Sequence, residues 1–393
     1  MRVLLIHNKY GGVSGEERMV SRIATLLREY GHEVDCRFEN SLSPGAGLRA
    51  KGKAFVQGIY DWESVQRVRD WVRAFRPDLV QVQNLYPSLS AWVLPAIRQE
   101  GIPVVMRCAN YRLVCPNGLL LSHGQVCERC ISGREHWCVL RNCEGSLPKS
   151  LGYALRNFVA RTRRLYRDNV TLYYAQTDFQ KKKLMAGGFP ASRIEVIPNM
   201  VDTSTPPRET QVGHYVGFAG RGSPEKGVAI LLQAARTCSD LPFRLAGDFW
   251  RMPEVAKVKP DNVELLGHLI GPRLEEFFRD CRLLVLPSTW YEGFPGVAIE
   301  AMLHGKPVVC SRLGGLPEIV DDKVTGVLFD PGNAADLAAK VERLWNQPDL
   351  CAEMGRAGRD KVLREYSPDR YYERLIAVYG RALELHGTLA AQT

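Results

Sequence analysis

The chain lacks any run of about 18 apolar residues, so no part of it has the pattern of a membrane-spanning helix. It also lacks an Asp-x-Asp pair, a spacing with which two carboxylates often share a divalent cation. The motifs of a nucleic-acid reader are missing, as is any internal repeat beyond an alternation of strand-like and helix-like runs. Nor do the first residues have the layout of a secretory leader. Met1 to Ile6 form a short apolar core that runs into His7, Asn8, Lys9 and a glycine turn, which reads as a first strand. A cytoplasmic protein without a nucleic-acid partner is expected.

What is present is a basic first half. Residues 1–200 hold 29 Lys and Arg against 17 Asp and Glu, whereas the whole chain holds 52 against 43, so the net charge of +9 originates there. Such a surplus suits an anionic partner such as a membrane surface, and equally a solvated basic face. A length of 393 residues exceeds one ordinary core and predicts two domains.

Strand-like runs at 3–6, 33–38, 79–82, 103–106, 172–176 and 194–197, with a helix over 16–30 closed by Gly31, predict a first parallel sheet. Residues 8–15 read as a glycine-rich turn and 40–59 as a long loop. A second series follows, with strands at 215–219, 243–246, 263–266, 283–288, 308–311 and 326–329 and helices at 227–238, 274–282 and from 334 onward. The expected domains are 1–200, a proline-bearing linker 201–213, 214–365, and a helix 366–393 packing back on the first domain. The fold class is α/β: two Rossmann-like, doubly wound parallel sheets facing across a cleft, with ligand outside the C-terminal strand ends.

Two segments carry chemistry. Phe218 to Gly227 sets Arg221 and Lys226 at a strand-to-helix junction, where backbone N–H groups already attract anions. Glu292 and Glu300 stand eight positions apart around Gly293, Phe294, Pro295 and Gly296, so one carboxylate precedes a helix and the other lies inside it. A surface loop with two cations, or two glutamates on a helix, is commonplace alone; the two segments together are not.

With the run Leu313-Gly314-Gly315-Leu316-Pro317-Glu318-Ile319-Val320, these segments resemble the signature of retaining GT-B glycosyltransferases of family 4. Ser14-Gly15-Glu16 lies at that family's usual distance ahead of Gly31-His32-Glu33-Val34. The resemblance implies a hexosyltransferase that takes a sugar from a nucleotide-diphosphate sugar and needs no cofactor or metal for catalysis. Its acceptor would be a hydroxyl of a glycan or lipid-linked molecule in cell-surface polysaccharide synthesis. Arg221 and Lys226 would hold the diphosphate, Glu292 the sugar hydroxyls and Glu300 the ribose. Gly15, Gly220 and the backbone at Phe294, Pro295 and Gly296 would line the donor. Gly314, Gly315 and Glu318 would shape a turn.

The chain departs from the family at one place. Where relatives have His-Asn-Tyr-Arg, it reads Cys108-Ala109-Asn110-Tyr111-Arg112, so Ala109 stands in the histidine's position. Either another group such as His7 or His123 substitutes, or the protein binds without catalysis. An insert at 108–145 gathers Cys115, Cys127, Cys130, Cys138 and Cys143. The Cys-x-x-Cys spacing of Cys127 and Cys130 suits one tetrahedral metal, which Cys115 and Cys143 could complete as a structural zinc site; plain reduced thiols are the other reading, with His123 and His136 as alternative ligands. Cys36, Cys238 and Cys310 read as buried apolar positions. Residues 151–167 alternate leucines and aromatics with arginines, a pattern that fits either peripheral contact with an anionic leaflet or a core-packing helix.

Overall fold

The computed structural model describes residues 1–9, 15–40, 58–86, 88–203, 212–250 and 252–390. The turn at 10–14, the loop at 41–57 and the linker residues 204–211 lie outside the described residues. The chain forms two compact units. One comprises Met1–Ser122, Cys127–Pro198 and Tyr371–Thr393, and the other His123–Val126 and Asn199–Arg370.

The first unit is built on β1 (Arg2–Lys9), β2 (Glu33–Asn40), β3 (Leu79–Val82), β4 (Val104–Cys108), β7 (Leu172–Ala175) and β8 (Ile194–Val196). Two further strands of the insert, β5 (Leu121–Ser122) and β6 (Gln125–Val126), are two residues long. The main sheet runs β2-β1-β3-β4-β7-β8, every pair parallel. Val3, Leu4, Leu5 and Ile6 are all buried, as a strand covered on both faces requires. The helix Gly15–Glu29 turns Met19, Ile23, Leu26 and Leu27 inward, and Gly31 ends it at φ 79°, a conformation glycine adopts without strain.

The helices Trp62–Phe75, Val93–Gln99, His136–Leu140 and Asp178–Ala186 of this unit carry no expectation from the sequence. The long run at 151–167 is not one helix. Leu147–Thr162 and Leu165–Asn169 are separate, because Arg164 takes a left-handed φ of 54° between them. Arg156, read as part of a basic outer face, instead points inward: its guanidinium lies 3.7 Å from the Tyr86 ring and 4.5 Å from that of Tyr153, and it donates to the Pro116 carbonyl. The C-terminal helix Pro368–Ala390 buries Tyr371, Leu375, Val378, Tyr379 and Ala382 in this unit. Tyr379 donates to Gln81, and the Tyr371 and Tyr174 hydroxyls meet at 3.3 Å.

The second unit repeats the architecture with β9 (Val216–Ala219), β10 (Phe243–Ala246), β11 (Val263–Gly267), β12 (Leu283–Leu286), β13 (Val308–Ser311) and β14 (Gly326–Phe329). Its order is β11-β10-β9-β12-β13-β14, all parallel. The chain leaves β9 in one direction along the sheet and returns to its other side at β12. This reversal opens a crevice at the C-terminal ends of those two strands, the usual ligand position in such sheets. The loops that border it are the two segments singled out above.

Candidate functional site

After β9 the chain passes through Gly220, Arg221 and Gly222 into a short turn, Pro224–Lys226, and then the helix Val228–Thr237. Close packing fixes the loop. The Gly222 N–H donates to the Asp248 carbonyl, and a Cβ on Gly222 would stand 2.4 Å from that same oxygen. Gly227 has φ 72°, and a Cβ there would lie 1.8 Å from the Pro287 carbonyl oxygen. The Thr289 N–H donates to the Glu225 carbonyl, so the loops after β9 and β12 are held to each other.

Inside this frame Lys226 and Glu292 meet. Lys226 Nζ lies 2.7 Å from Glu292 Oε1, and the Ser288 hydroxyl donates to the same oxygen at 2.6 Å. Glu292 is 5% exposed. Burial alone would push its carboxyl up; the Lys226 ammonium, with hydrogen bonds from Lys226 and Ser288, outweighs that and holds it below the usual glutamate range. The carboxylate is therefore ionised, with Oε1 committed. Ser288, two residues past β12 and four before Glu292, escaped the sequence reading because a lone serine carries no pattern. Arg221 differs: its side chain is 68% exposed and touches Glu225 at 3.4 Å, which leaves the guanidinium largely in solvent.

The helix Gly296–Leu303 begins one residue after Pro295, with no side-chain hydrogen bond capping it. The Ala298 N–H donates to the Pro295 carbonyl at 3.1 Å, and the N–H groups before it stand at the positive end of the helix dipole. Phe294 is an anchor: it is buried, packs edge-on against Tyr366 at 5.3 Å, and its carbonyl accepts from the Asn199 amide. Glu300 is half-buried and reaches back along the helix, with Oε1 3.9 Å from where a Cβ on Gly296 would be. Gly314, at φ 63°, abuts the backbone of Tyr291 and Glu292, and the Gly315 N–H donates to the Glu292 carbonyl at 2.8 Å. Gly15 opens its helix in the first unit with nothing within 4 Å of a Cβ there.

Two family models match the chain. "Glycosyl transferase 4-like domain" takes residues 14–200, and "Glycosyl transferases group 1" takes residues 213–347. The chain belongs to this glycosyltransferase family. Relatives include an uncharacterized glycosyltransferase of Methanocaldococcus jannaschii, 39% identical over 36% of this chain and 41% of its own. A poly(ribitol-phosphate) alpha-N-acetylglucosaminyltransferase of Staphylococcus aureus is 28% identical over 49% of this chain and 40% of its own. The chain thus spans about half or less of the length of these curated relatives. Among solved structures, Anabaena HepE in complex with UDP superposes with a TM-score of 0.66 at 19% identity, covering 97% of this chain and 100% of that one. At such identity the likeness shows the fold, which is GT-B.

In this family member Ala109 follows β4 in the first unit and lines a pocket with Gln83, Arg107 and Arg112. His7 lies buried on β1; burial first, then Arg107 and Lys9, lower its pKa to about 4, so its imidazole is neutral. His123 sits in a left-handed turn at φ 52°. The Cys115 thiol donates to Asn117 Oδ1 at 3.0 Å, and the Cys143 thiol lies 3.6 Å from the Ser122 hydroxyl. Cys130 and Cys138 pack into one apolar cluster with Ala154, Trp137 and Cys143, whereas Cys127 is half-buried outside it. Among the described residues no three or more His, Cys, Asp or Glu side chains are grouped to hold a metal ion. Cys36, expected to be buried, is half-buried and its sulfur contacts Arg28.

Proposed function

We propose that the protein is a retaining glycosyltransferase that moves a hexose from a nucleotide-diphosphate sugar to a hydroxyl of a glycan or lipid-linked acceptor, in cell-surface polysaccharide synthesis. The observation that carries this reading is the buried Lys226–Glu292 pair at 2.7 Å beside an uncapped helix N-terminus, at the point where the second sheet reverses order. Family membership and the UDP complex of a structural neighbour support the donor class.

In this reading the solvent-facing Arg221 and the Lys226 ammonium receive the diphosphate and neutralise the charge that develops as the glycosidic bond breaks. These two cations and the helix N-terminus supply that charge, so the step runs without a divalent metal. Glu292 keeps Oε2 for sugar hydroxyls while Oε1 fixes Lys226. Glu300 accepts from the ribose hydroxyls. The departing phosphate takes the proton of the acceptor hydroxyl, and the sugar keeps its anomeric configuration.

Peripheral contact with an anionic membrane belongs to the same reading. Leu147, Leu151 and Phe158 are exposed at 58, 49 and 46%, and their spacing sets them on one face of the helix Leu147–Thr162. Leu140 at 70% exposure ends the adjoining helix, and Arg161, Arg163 and Arg164 are exposed at the far end. No helix among the described residues is long and apolar enough to cross a membrane.

A thermal-shift screen of UDP, GDP and ADP sugars tests the donor reading, since a ligand bound only by the folded chain raises its stability by about 2.7 kcal/mol at a hundredfold excess over Kd. One nucleotide series is expected to shift the midpoint saturably. The second reading, a binding protein without turnover, draws on Ala109, and saturable binding with no release of nucleoside diphosphate would select it.

A further inference from the structure

Both hydrogen bonds to the Glu292 carboxylate end on the same oxygen. Lys226 Nζ lies 2.7 Å and the Ser288 hydroxyl 2.6 Å from Oε1, and Oε2 accepts from neither. The two donors differ in kind. An ammonium rides on a flexible four-carbon stem, whereas a serine hydroxyl sits one bond from its Cβ and stays where its backbone puts it. That backbone is pinned on both sides of Ser288. The Pro287 carbonyl oxygen packs so close to Gly227 that a Cβ there would come within 1.8 Å, and the Thr289 N–H donates to the Glu225 carbonyl at 2.9 Å. Glu292 is held as well, since its carbonyl accepts the Gly315 N–H at 2.8 Å. Ser288 is 2% exposed, and its bond has the short length of a hydroxyl donating to an ionised oxygen.

As a ligand of the diphosphate, Lys226 must serve two partners. Its side chain is 18% exposed against 6% for that of Glu292, so the ammonium has a solvent side on which a diphosphate competes for it. With Lys226 as its single anchor, Glu292 would fail in one of two ways. It would follow the ammonium and bring its own negative charge onto the phosphates, or it would stay behind with a buried, charged oxygen short of a donor. A second donor that cannot leave removes both failures. Trp290 does not fill that place: its ring borders the Lys226 ammonium at 5.5 Å, and its indole N–H has no hydrogen-bond partner among the described residues. Ser288 does fill it.

We propose that Ser288 is a positioning residue: it holds Glu292 in place when Lys226 is drawn onto the diphosphate, so that Oε2 stays presented to the hydroxyls of the transferred sugar. This role rests on the donor reading above; the two-donor geometry at Oε1 does not.

The test compares the wild type, Ser288→Ala and Ser288→Thr by calorimetric titration of the full chain with UDP and UDP-glucose, GDP and GDP-mannose, and ADP and ADP-glucose. Release of nucleoside diphosphate is then measured from the sugar nucleotide that binds. A nucleoside diphosphate engages Lys226 without a sugar, so its affinity in Ser288→Ala should stay within about twofold of the wild type. The sugar nucleotide should bind Ser288→Ala more weakly and turn over at least about tenfold more slowly, the scale of one lost hydrogen bond to a charged group. Ser288→Thr keeps the hydroxyl and should recover most of both. A merely structural role would weaken the two ligands alike. Equal losses for nucleotide and sugar nucleotide in Ser288→Ala, or wild-type values for both with wild-type turnover, overturn the role of Ser288 and leave the donor reading standing. A wild type that binds no member of the three pairs refutes the donor reading itself, and the role of Ser288 falls with it.

Discussion

Lys226 and Glu292 form a pair that neither residue could sustain alone. Removing one member of a buried pair leaves the other uncompensated, at a cost of about 3–5 kcal/mol, so Lys226→Ala should lower stability by that order as well as donor affinity. The sign of its pH dependence follows from the carboxyl. In the wild type the Glu292 pKa is lowered, so the stability it contributes is present above the ordinary glutamate value and lost as pH falls through the folded one. In Lys226→Ala burial is no longer opposed by the ammonium, and protonation relieves the stranded charge. Urea midpoints at pH 5 and pH 8 check this: the deficit relative to wild type should shrink at the lower pH, and an equal deficit at both would contradict the pairing. Motif spacing singled out Arg221, Lys226, Glu292 and Glu300 in the sequence as candidates. The contact between Lys226 and Glu292 was not, because 66 residues separate them and only the parallel placement of β9 beside β12 brings their loops together.

At the scale of elements, strands buried along most or all of their length were the easiest to read. The runs at 79–82, 243–246, 308–311 and 326–329 match their strands residue for residue. The helices Trp62–Phe75 and Asp178–Ala186 were hidden for different reasons. The first follows a glycine-rich loop and is crowded with charge, and the second carries three successive lysines and buries only Gln180 and Leu184. Glycines decide the loop after β9. Gly227→Ala must both adopt a left-handed φ of 72° and displace the Pro287 carbonyl, and each strain is worth roughly 1–3 kcal/mol. A loss of at least about 2 kcal/mol in denaturant unfolding is expected, and a wild-type midpoint would rule the account out.

Two other elements make separate predictions. Burying Leu151 and Phe158 in a bilayer is worth about 1.5–3 kcal/mol each, so the double change Leu151→Ser, Phe158→Ser should weaken binding to phosphatidylglycerol vesicles by tenfold or more. Equal co-sedimentation of both proteins would sink the membrane reading. For the cysteine insert, a structural zinc site on Cys115, Cys127, Cys130 and Cys143 is a proposal from their spacing alone, since no group of three or more possible ligands is gathered among the described residues. Metal analysis of protein purified without added zinc should read near one equivalent if it is right, and under about a tenth if the thiols are simply reduced.

Across the whole molecule, the chain repeats one architecture in two units, and the first unit depends on the far end of the sequence. Tyr371, Tyr379 and Arg381 of the last helix bond to the Tyr174 hydroxyl, Gln81 and Glu195 respectively, while Tyr372 stacks on Tyr30 at 3.6 Å. His7 in that unit couples folding to acidity. Its pKa is about 4 in the folded chain against an ordinary 6.5, so below 6.5 the unfolded chain takes up a proton that the folded one refuses. Stability should therefore fall between pH 6.5 and 4, with His7 contributing on the order of 3 kcal/mol. Replacing His7 with Gln should flatten that part of the profile.

The central claim is that the loops after β9 and β12 form a donor cradle that turns over a nucleotide sugar. It is tested most directly by measuring release of nucleoside diphosphate from the sugar nucleotide that stabilises the chain best, for the wild type and Glu292→Gln at equal concentrations of folded protein. Turnover by the wild type with a rate at least about a hundredfold lower in the variant, a loss of roughly 2.7 kcal/mol of transition-state stabilisation, is the predicted result. Equal rates in the two proteins, or none in either, would contradict it.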